Sequence, residues 1–101
     1  MGVQLKKTTL IFYLKQEVRN KYLMELKIFR LHQDDRYKEG IKYSLIFLKI
    51  GTKNKILMDN HHPKRPHIHI GEKETPYKFK NKDALLRDFK RLVFKTFGIK
   101  L

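Results

Sequence analysis

The sequence contains no cysteine, no long apolar run and no glycine- or serine-rich linker. Without cysteine the chain forms neither a disulfide framework nor a cysteine-ligated zinc site, which agrees with a reducing compartment. No apolar run approaches the roughly 18 residues that suggest a membrane span. The apolar run that follows the N-terminal lysines is too short for a secretory signal. We therefore expect a cytoplasmic protein without a membrane partner.

Acidic residues are also scarce, because 10 of them stand against 24 lysines and arginines, for a formal net charge of +14. Such a charge attracts polyanions, since each phosphate that pairs with a cation releases condensed counterions. Nucleic acid or an acidic protein is the expected partner. The alternative is a lysine-rich composition with no anionic partner.

The length and the hydrophobic pattern predict one α+β domain that spans residues 1–101. Period-two alternation of apolar residues predicts strands. The strands predicted in this way are 22–29, 41–50, 67–70 and 77–80, and Lys55–Asp59 is a hairpin partner after the turn at 51–54. Thr8–Val18 could be a helix by the spacing of its leucines, but its β-branched and aromatic residues favour a strand that turns at 19–21. We expect an antiparallel sheet of about five or six strands with one C-terminal helix packed on it.

The C-terminal helix is the clearest element. Asn81 is a good N-cap, Asp83 falls in the first turn, and Gly98 is placed to end the helix. Four cations, Arg87, Lys90, Arg91 and Lys95, lie away from the centre of its apolar stripe. They are candidate phosphate ligands, together with Lys78 before the helix, and the alternative is ordinary solvated surface.

Four of the five histidines, two prolines and two cations fall within residues 58–70. Imidazole can act as acid, base or metal ligand near neutral pH. One interpretation is acid-base cleavage of RNA, in which His61 or His62 and His67 transfer protons while Lys64 or Arg65 stabilises the transition state. A period of two places the side chains of residues 67 and 69 on one face, roughly 7 Å apart.

Three other interpretations of this segment stay open. His67 and His69 could bind zinc or another divalent metal, with His61, His62 or Asp59 completing the ligand set. The histidines and Tyr77 could instead stack on unpaired bases without catalysis. Finally, the histidines could only satisfy backbone groups in a proline-braced loop. The metal pattern is not specific, so we favour chemistry without a cofactor.

Asp59 and Asn60 end a predicted strand just before the histidines. Asp-Asn pairs at such positions often bond to the following turn, which gives a purely structural interpretation. Asp59 could also orient a neighbouring histidine ring. Asn60 is a candidate substrate ligand or a structural residue.

Taken together, these residues resemble the TumE-type toxins of type II toxin-antitoxin modules. The likeness spans residues 22–97 and rests on five sequence segments. They are residues 42–47, 57–64, 67–69, 76–79 and 86–89. The chain departs from many members in having Ile68 between His67 and His69, where those have adjacent histidines.

The resemblance implies a growth-inhibiting toxin of ribonuclease type, held inactive by a DNA-binding helix-turn-helix antitoxin. The positions that match the family are Asp59, Asn60, His61, His67 and His69, with Tyr77 as a flank. From all these observations we predict a ribonuclease toxin. The alternatives are a module that inhibits by occupying nucleic acid or protein, and a metal-dependent hydrolase with His67, His69 and His61 as ligands.

Overall fold

The computed structural model describes residues 8–32 and 36–101, which form six strands and one helix. The elements are β1 (Thr8–Val18), β2 (Tyr22–Leu31), β3 (Ile41–Lys49), β4 (Lys55–Asp59), β5 (His67–Ile70), β6 (Lys73–Pro76) and α1 (Lys82–Phe97). The strands pair in chain order, each antiparallel to the next. The predicted α+β fold, with its antiparallel sheet and C-terminal helix, is confirmed.

One face of this sheet carries the core. In β2 and β3, Leu26 lies opposite Leu45, and the residues two positions away on each strand are buried with them. Leu45 in turn lies opposite Met58 of β4. Because successive side chains of a strand point to opposite faces, this alternation produces one continuous apolar face.

The helix covers that apolar face. The Asn81 side chain accepts a hydrogen bond from the backbone N–H of Ala84 at 2.8 Å, which caps the first turn. Leu85, Phe89 and Val93 are buried and belong to the core that the strands form. Among the described residues, no helix is long and apolar enough to cross a membrane.

The opposite face of the sheet is not covered by the helix. Ile68 lies opposite Met58, a core residue, so its neighbours in β5 point the other way. His67 lies opposite Asp59, which in turn lies opposite Ser44. Strand register therefore places the β5 histidines and Asp59 together on the helix-free face.

One predicted strand is wrong. The segment 77–80 alternates in sequence, but the last strand is Lys73–Pro76, paired with β5 through a turn at Gly71. The glycine has φ +62, which lets the chain reverse directly after Ile70. After Pro76 the chain leaves the sheet toward the helix, where the Tyr77 hydroxyl donates to Asp88 at 2.6 Å.

The helix cap gives a testable prediction about stability. Replacing Asn81 with Ala removes the acceptor for the Ala84 N–H and should lower the free energy of unfolding by about 1 kcal/mol. Asn81→Asp keeps an acceptor oxygen at this position, so its free energy of unfolding should fall much less. Urea unfolding of both variants measures the difference, and equal stability of the two would contradict a capping role.

Candidate functional site

His67 is buried, and both of its ring nitrogens face oxygen acceptors. Its Nδ1 lies 2.7 Å from the Arg65 carbonyl oxygen, and its Nε2 lies 3.0 Å from Oδ1 of Asp59. A carbonyl only accepts, so the hydrogen of the first contact is on Nδ1. The second contact is also at hydrogen-bonding distance, and it is an ion pair only when the ring is protonated. The pair therefore offers a fixed position for one proton between an imidazole and a carboxylate.

His69 extends this arrangement to the next strand. The ring centroids of His67 and His69 are 4.7 Å apart, and Nε2 of His69 lies 3.6 Å from Oε1 of Glu74 on β6. The Lys64 ammonium donates to the same oxygen at 3.3 Å. That hydrogen bond lowers the pKa of Glu74 below its usual value. We refer to Asp59, His67, His69 and Glu74 as the His67 cluster.

Glu74 is a member of the cluster that the sequence analysis missed. Its position follows from the hairpin at Gly71, which places Glu74 opposite His69. The signal was present in the sequence, because a tight turn right after Ile70 brings position 74 back beside position 69. Placing the last strand at 77–80 concealed it.

Three members of the cluster could hold a metal ion. One ligand atom from each of His67, His69 and Glu74 lies within 4.8 Å of the other two. The bond from Nδ1 of His67 to a carbonyl is the usual support of a histidine that binds metal through Nε2. The predicted metal set contained His61, which is not part of this group, and the structure brings Glu74 there instead.

The other predicted catalytic residues lie on the loop between β4 and β5. His61 and His62 are exposed. The backbone N–H of His61 reaches Oδ1 of Asp59 at 3.5 Å, and that of His62 donates to the Tyr37 hydroxyl at 3.2 Å. The backbone of His61 therefore lies beside Asp59 of the cluster, whereas the backbone of His62 is hydrogen-bonded to Tyr37.

Lys64 and Arg65 line two cavities. The first cavity, which we call the basic cavity, also contains Arg36, Lys38 and His62, with Glu39 as its acidic member. The second cavity contains His67 and Glu74. Arg36 and Lys38 come from the β2–β3 connection, and the sequence analysis did not select them because nothing in their local pattern links them to the histidines.

Asn60 is almost completely buried and holds the loop in place. Its Oδ1 accepts from the Tyr43 N–H at 2.9 Å, while its Nδ2 donates to the Ile41 carbonyl at 2.8 Å and to Glu39 at 3.0 Å. Three contacts use most of the bonding capacity of one amide. This placement agrees with the structural interpretation of Asn60, and a contact with substrate stays a prediction.

The remaining predicted ligands are not brought to the cluster. Tyr77 is half-buried. Burial raises the pKa of its hydroxyl, and the hydrogen bond to Asp88 raises it further. Arg87 and Arg91 are on α1, each 4.0 Å from Asp88 and on the other side of the sheet from the histidines. Lys78 is exposed between β6 and α1. A role of these residues in holding substrate stays a prediction.

Comparison with known proteins identifies the family. The family model described as Toxin TumE matches residues 3–95. The chain belongs to the TumE toxin family. No curated protein matches the chain, and no solved structure does. The expected family is thus confirmed, and membership of the TumE family supports a role as a toxin and, in general terms, an antitoxin partner.

The buried amide gives a second prediction. In Asn60→Ala, the Tyr43 N–H and the Ile41 carbonyl lose their partner, so we expect the free energy of unfolding to fall by about 2–4 kcal/mol. Asn54→Ala is the matched control, because Asn54 is exposed in a turn and should change stability little. Urea unfolding compares the two. A fully stable Asn60→Ala protein with reduced toxicity would instead indicate contact with substrate.

Proposed function

We propose that this TumE toxin is a cytoplasmic ribonuclease whose chemistry is carried by the His67 cluster. The observation that supports this most strongly is the pair of contacts that the buried His67 ring makes, through Nε2 to the Asp59 carboxylate at 3.0 Å and through Nδ1 to the Arg65 carbonyl at 2.7 Å. That pair lies beside a cavity lined by Lys64 and Arg65. A proton donor next to cations suits a reaction that moves protons while negative charge builds up on phosphorus.

The proposed reaction uses the two histidines of β5 in opposite roles. His69, the more exposed ring, accepts the proton of the ribose 2′-hydroxyl, and the 2′-oxygen attacks the adjacent phosphorus. The bond from phosphorus to the 5′-oxygen breaks, and this oxygen takes the proton held by His67. The products are a 2′,3′-cyclic phosphate and a free 5′-hydroxyl. Asp59 orients the His67 ring through the contact with Nε2.

Geometry favours His69 over His61 or His62 as the partner of His67. The rings of His67 and His69 are 4.7 Å apart on one strand, where the sheet fixes both. His61 remains a candidate through its backbone contact with Asp59. His62 is directed toward Tyr37, and its ring lies 6.5 Å from the tyrosine ring between centroids.

The cations around the loop have separate proposed roles. Lys64 and Arg65, which line both cavities, stabilise the charge on the reacting phosphate. Arg36 and Lys38 in the basic cavity then bind a neighbouring phosphate of the same strand. We further propose that the antitoxin partner is a DNA-binding protein of helix-turn-helix type, as the family resemblance implies.

A metal-dependent hydrolase is a second candidate, because His67, His69 and Glu74 converge within 4.8 Å. In that case these residues would bind a divalent ion such as zinc, which would supply an activated water. In the structure the Glu74 carboxylate accepts a hydrogen bond from Lys64.

The proposal predicts multiple-turnover cleavage of RNA that does not need a metal. Purified protein in stoichiometric deficit should cleave total cellular RNA with or without EDTA. His69→Ala should reduce the rate by a factor of about 100 or more, as loss of a general base does. His32→Ala is the matched control, since His32 is an exposed histidine outside the cluster.

Three outcomes would change this account. Full cleavage by folded His67→Ala and His69→Ala proteins would show that the cluster is not catalytic. Activity lost with EDTA, and lost in Glu74→Gln, would favour the metal-dependent hydrolase. Growth inhibition without any cleavage would indicate a toxin that acts by binding.

A further inference from the structure

The outward side of α1 carries a basic stripe that the proposed function does not use. Its members occur at positions i, i+3, i+4, i+7 and i+8, the spacing that places residues on one side of a helix. They are Arg87, Lys90, Arg91, Phe94 and Lys95, and all five are exposed. We call these five residues the outer stripe.

The charge of the outer stripe is only partly compensated. Nε of Arg87 and Nη1 of Arg91 are each 4.0 Å from Oδ1 of Asp88, and the two arginine side chains remain 64% and 71% exposed. Asp88 also accepts from the Tyr77 hydroxyl through Oδ2. Within the part of the chain that the structure describes, Lys90 and Lys95 have no carboxylate within 4.0 Å. Both arginines can still pair with incoming carboxylates.

Phe94 is an exposed aromatic ring within this charged stripe. At 58% exposure it is the most exposed large hydrophobic residue in the described part of the chain. It cannot turn into the core, because Leu85, Phe89 and Val93 already fill the inner side of the helix. Protein interfaces are enriched in aromatic residues and arginines, with a buried centre and a solvated rim. The outer stripe has this composition.

We infer that the outer stripe docks an acidic, amphipathic segment of a partner polypeptide. Carboxylates of that segment pair with the four cations, and one apolar side chain covers Phe94. The stripe spans residues 87–95, or about 12 Å at 1.5 Å per residue, so two turns of an acidic helix would match its length. Acidic residues at i and i+4 around one leucine or phenylalanine have this pattern.

RNA explains the same surface less well. RNA positioned for cleavage at the His67 cluster lies on the other side of the sheet from α1. In an A-form duplex the grooves present phosphates, hydroxyls and base edges, which give Phe94 no apolar contact. A polypeptide supplies carboxylates and an apolar side chain together. Stacking of an unpaired base on Phe94 is the competing possibility, and the experiment separates the two.

The test uses three labelled probes and fluorescence anisotropy with the whole protein. The first probe is a short helical glutamate-rich peptide with one central leucine. The second has serine in place of that leucine, and the third is a short uridine oligonucleotide. Phe94→Ala and the double variant Lys90→Glu, Lys95→Glu alter the stripe.

Two control variants match these changes. Leu10→Ala removes another exposed apolar side chain, from β1. Lys15→Glu with Lys53→Glu makes the same change of net charge at exposed positions away from the helix. Controls of this kind distinguish the stripe from a general effect of charge.

We expect Phe94→Ala and the double charge reversal on the helix each to weaken binding of the leucine peptide by about tenfold or more. Either control variant should bind this peptide almost as well as the unchanged protein. The serine peptide should bind more weakly to the unchanged protein and should not respond to Phe94→Ala. The inference is wrong if the charge reversal on the helix and the control charge reversal weaken binding of the leucine peptide equally. It is also wrong if the oligonucleotide, and not the peptide, depends on the stripe. Because binding is measured, failure of the ribonuclease proposal would leave this result unaffected.

Discussion

The pairing of β4, β5 and β6 is the constraint on which the candidate site depends. This register places Asp59 opposite His67 and His69 opposite Glu74, on the face that the helix leaves open. A shift of one residue in β5 would turn both histidines into the apolar core and expose Ile68. Packing of the core side therefore fixes the chemistry on the other side, since Ile68 can remain against Met58 only when the histidines point outward.

The sheet separates two surfaces with different chemistry. The open side places a buried histidine against a carboxylate, with Lys64 and Arg65 close by. The helix side presents cations around an exposed aromatic ring. A toxin with this arrangement can bind a partner through the helix while its cleft stays separate, so the two proposals can be tested independently. The net charge of +14 favours anionic ligands on both surfaces.

Local sequence patterns were sufficient for most of the fold. The β-branched and aromatic residues of β1, with the turn at Arg19 and Asn20, predicted that strand with the bounds that it has, and the caps at Asn81 and Gly98 predicted the helix. Alternation predicted a strand at 77–80 that does not form, because a period of two in the sequence does not show whether a neighbouring strand is available for pairing. There the chain instead leaves the sheet toward the helix.

The candidate site was predicted only where its residues are close in sequence. His67 and His69 were recognised because they lie two apart on one strand. Glu74 joins them through the hairpin at Gly71, which was missed because the last strand was placed at 77–80. Arg36 and Lys38 line the basic cavity with His62, and their distance from it in the sequence concealed this proximity. The sequence also could not predict that Arg87 and Arg91 lie apart from the cluster, because it does not show which face of the sheet the helix covers.

The central claim is that hydrogen bonds hold both ring nitrogens of His67, Nδ1 to the Arg65 carbonyl and Nε2 to the Asp59 carboxylate. Nitrogen-15 NMR of histidine-labelled protein near neutral pH tests it most directly. The account predicts that Nδ1 of His67 carries a hydrogen and that the resonance of Nε2 changes in Asp59→Asn, whereas His32 is unaffected. A His67 ring whose Nδ1 lacks a hydrogen, or whose Nε2 does not respond to the loss of the carboxylate, would contradict the proton-holding pair and the acid-base mechanism based on it.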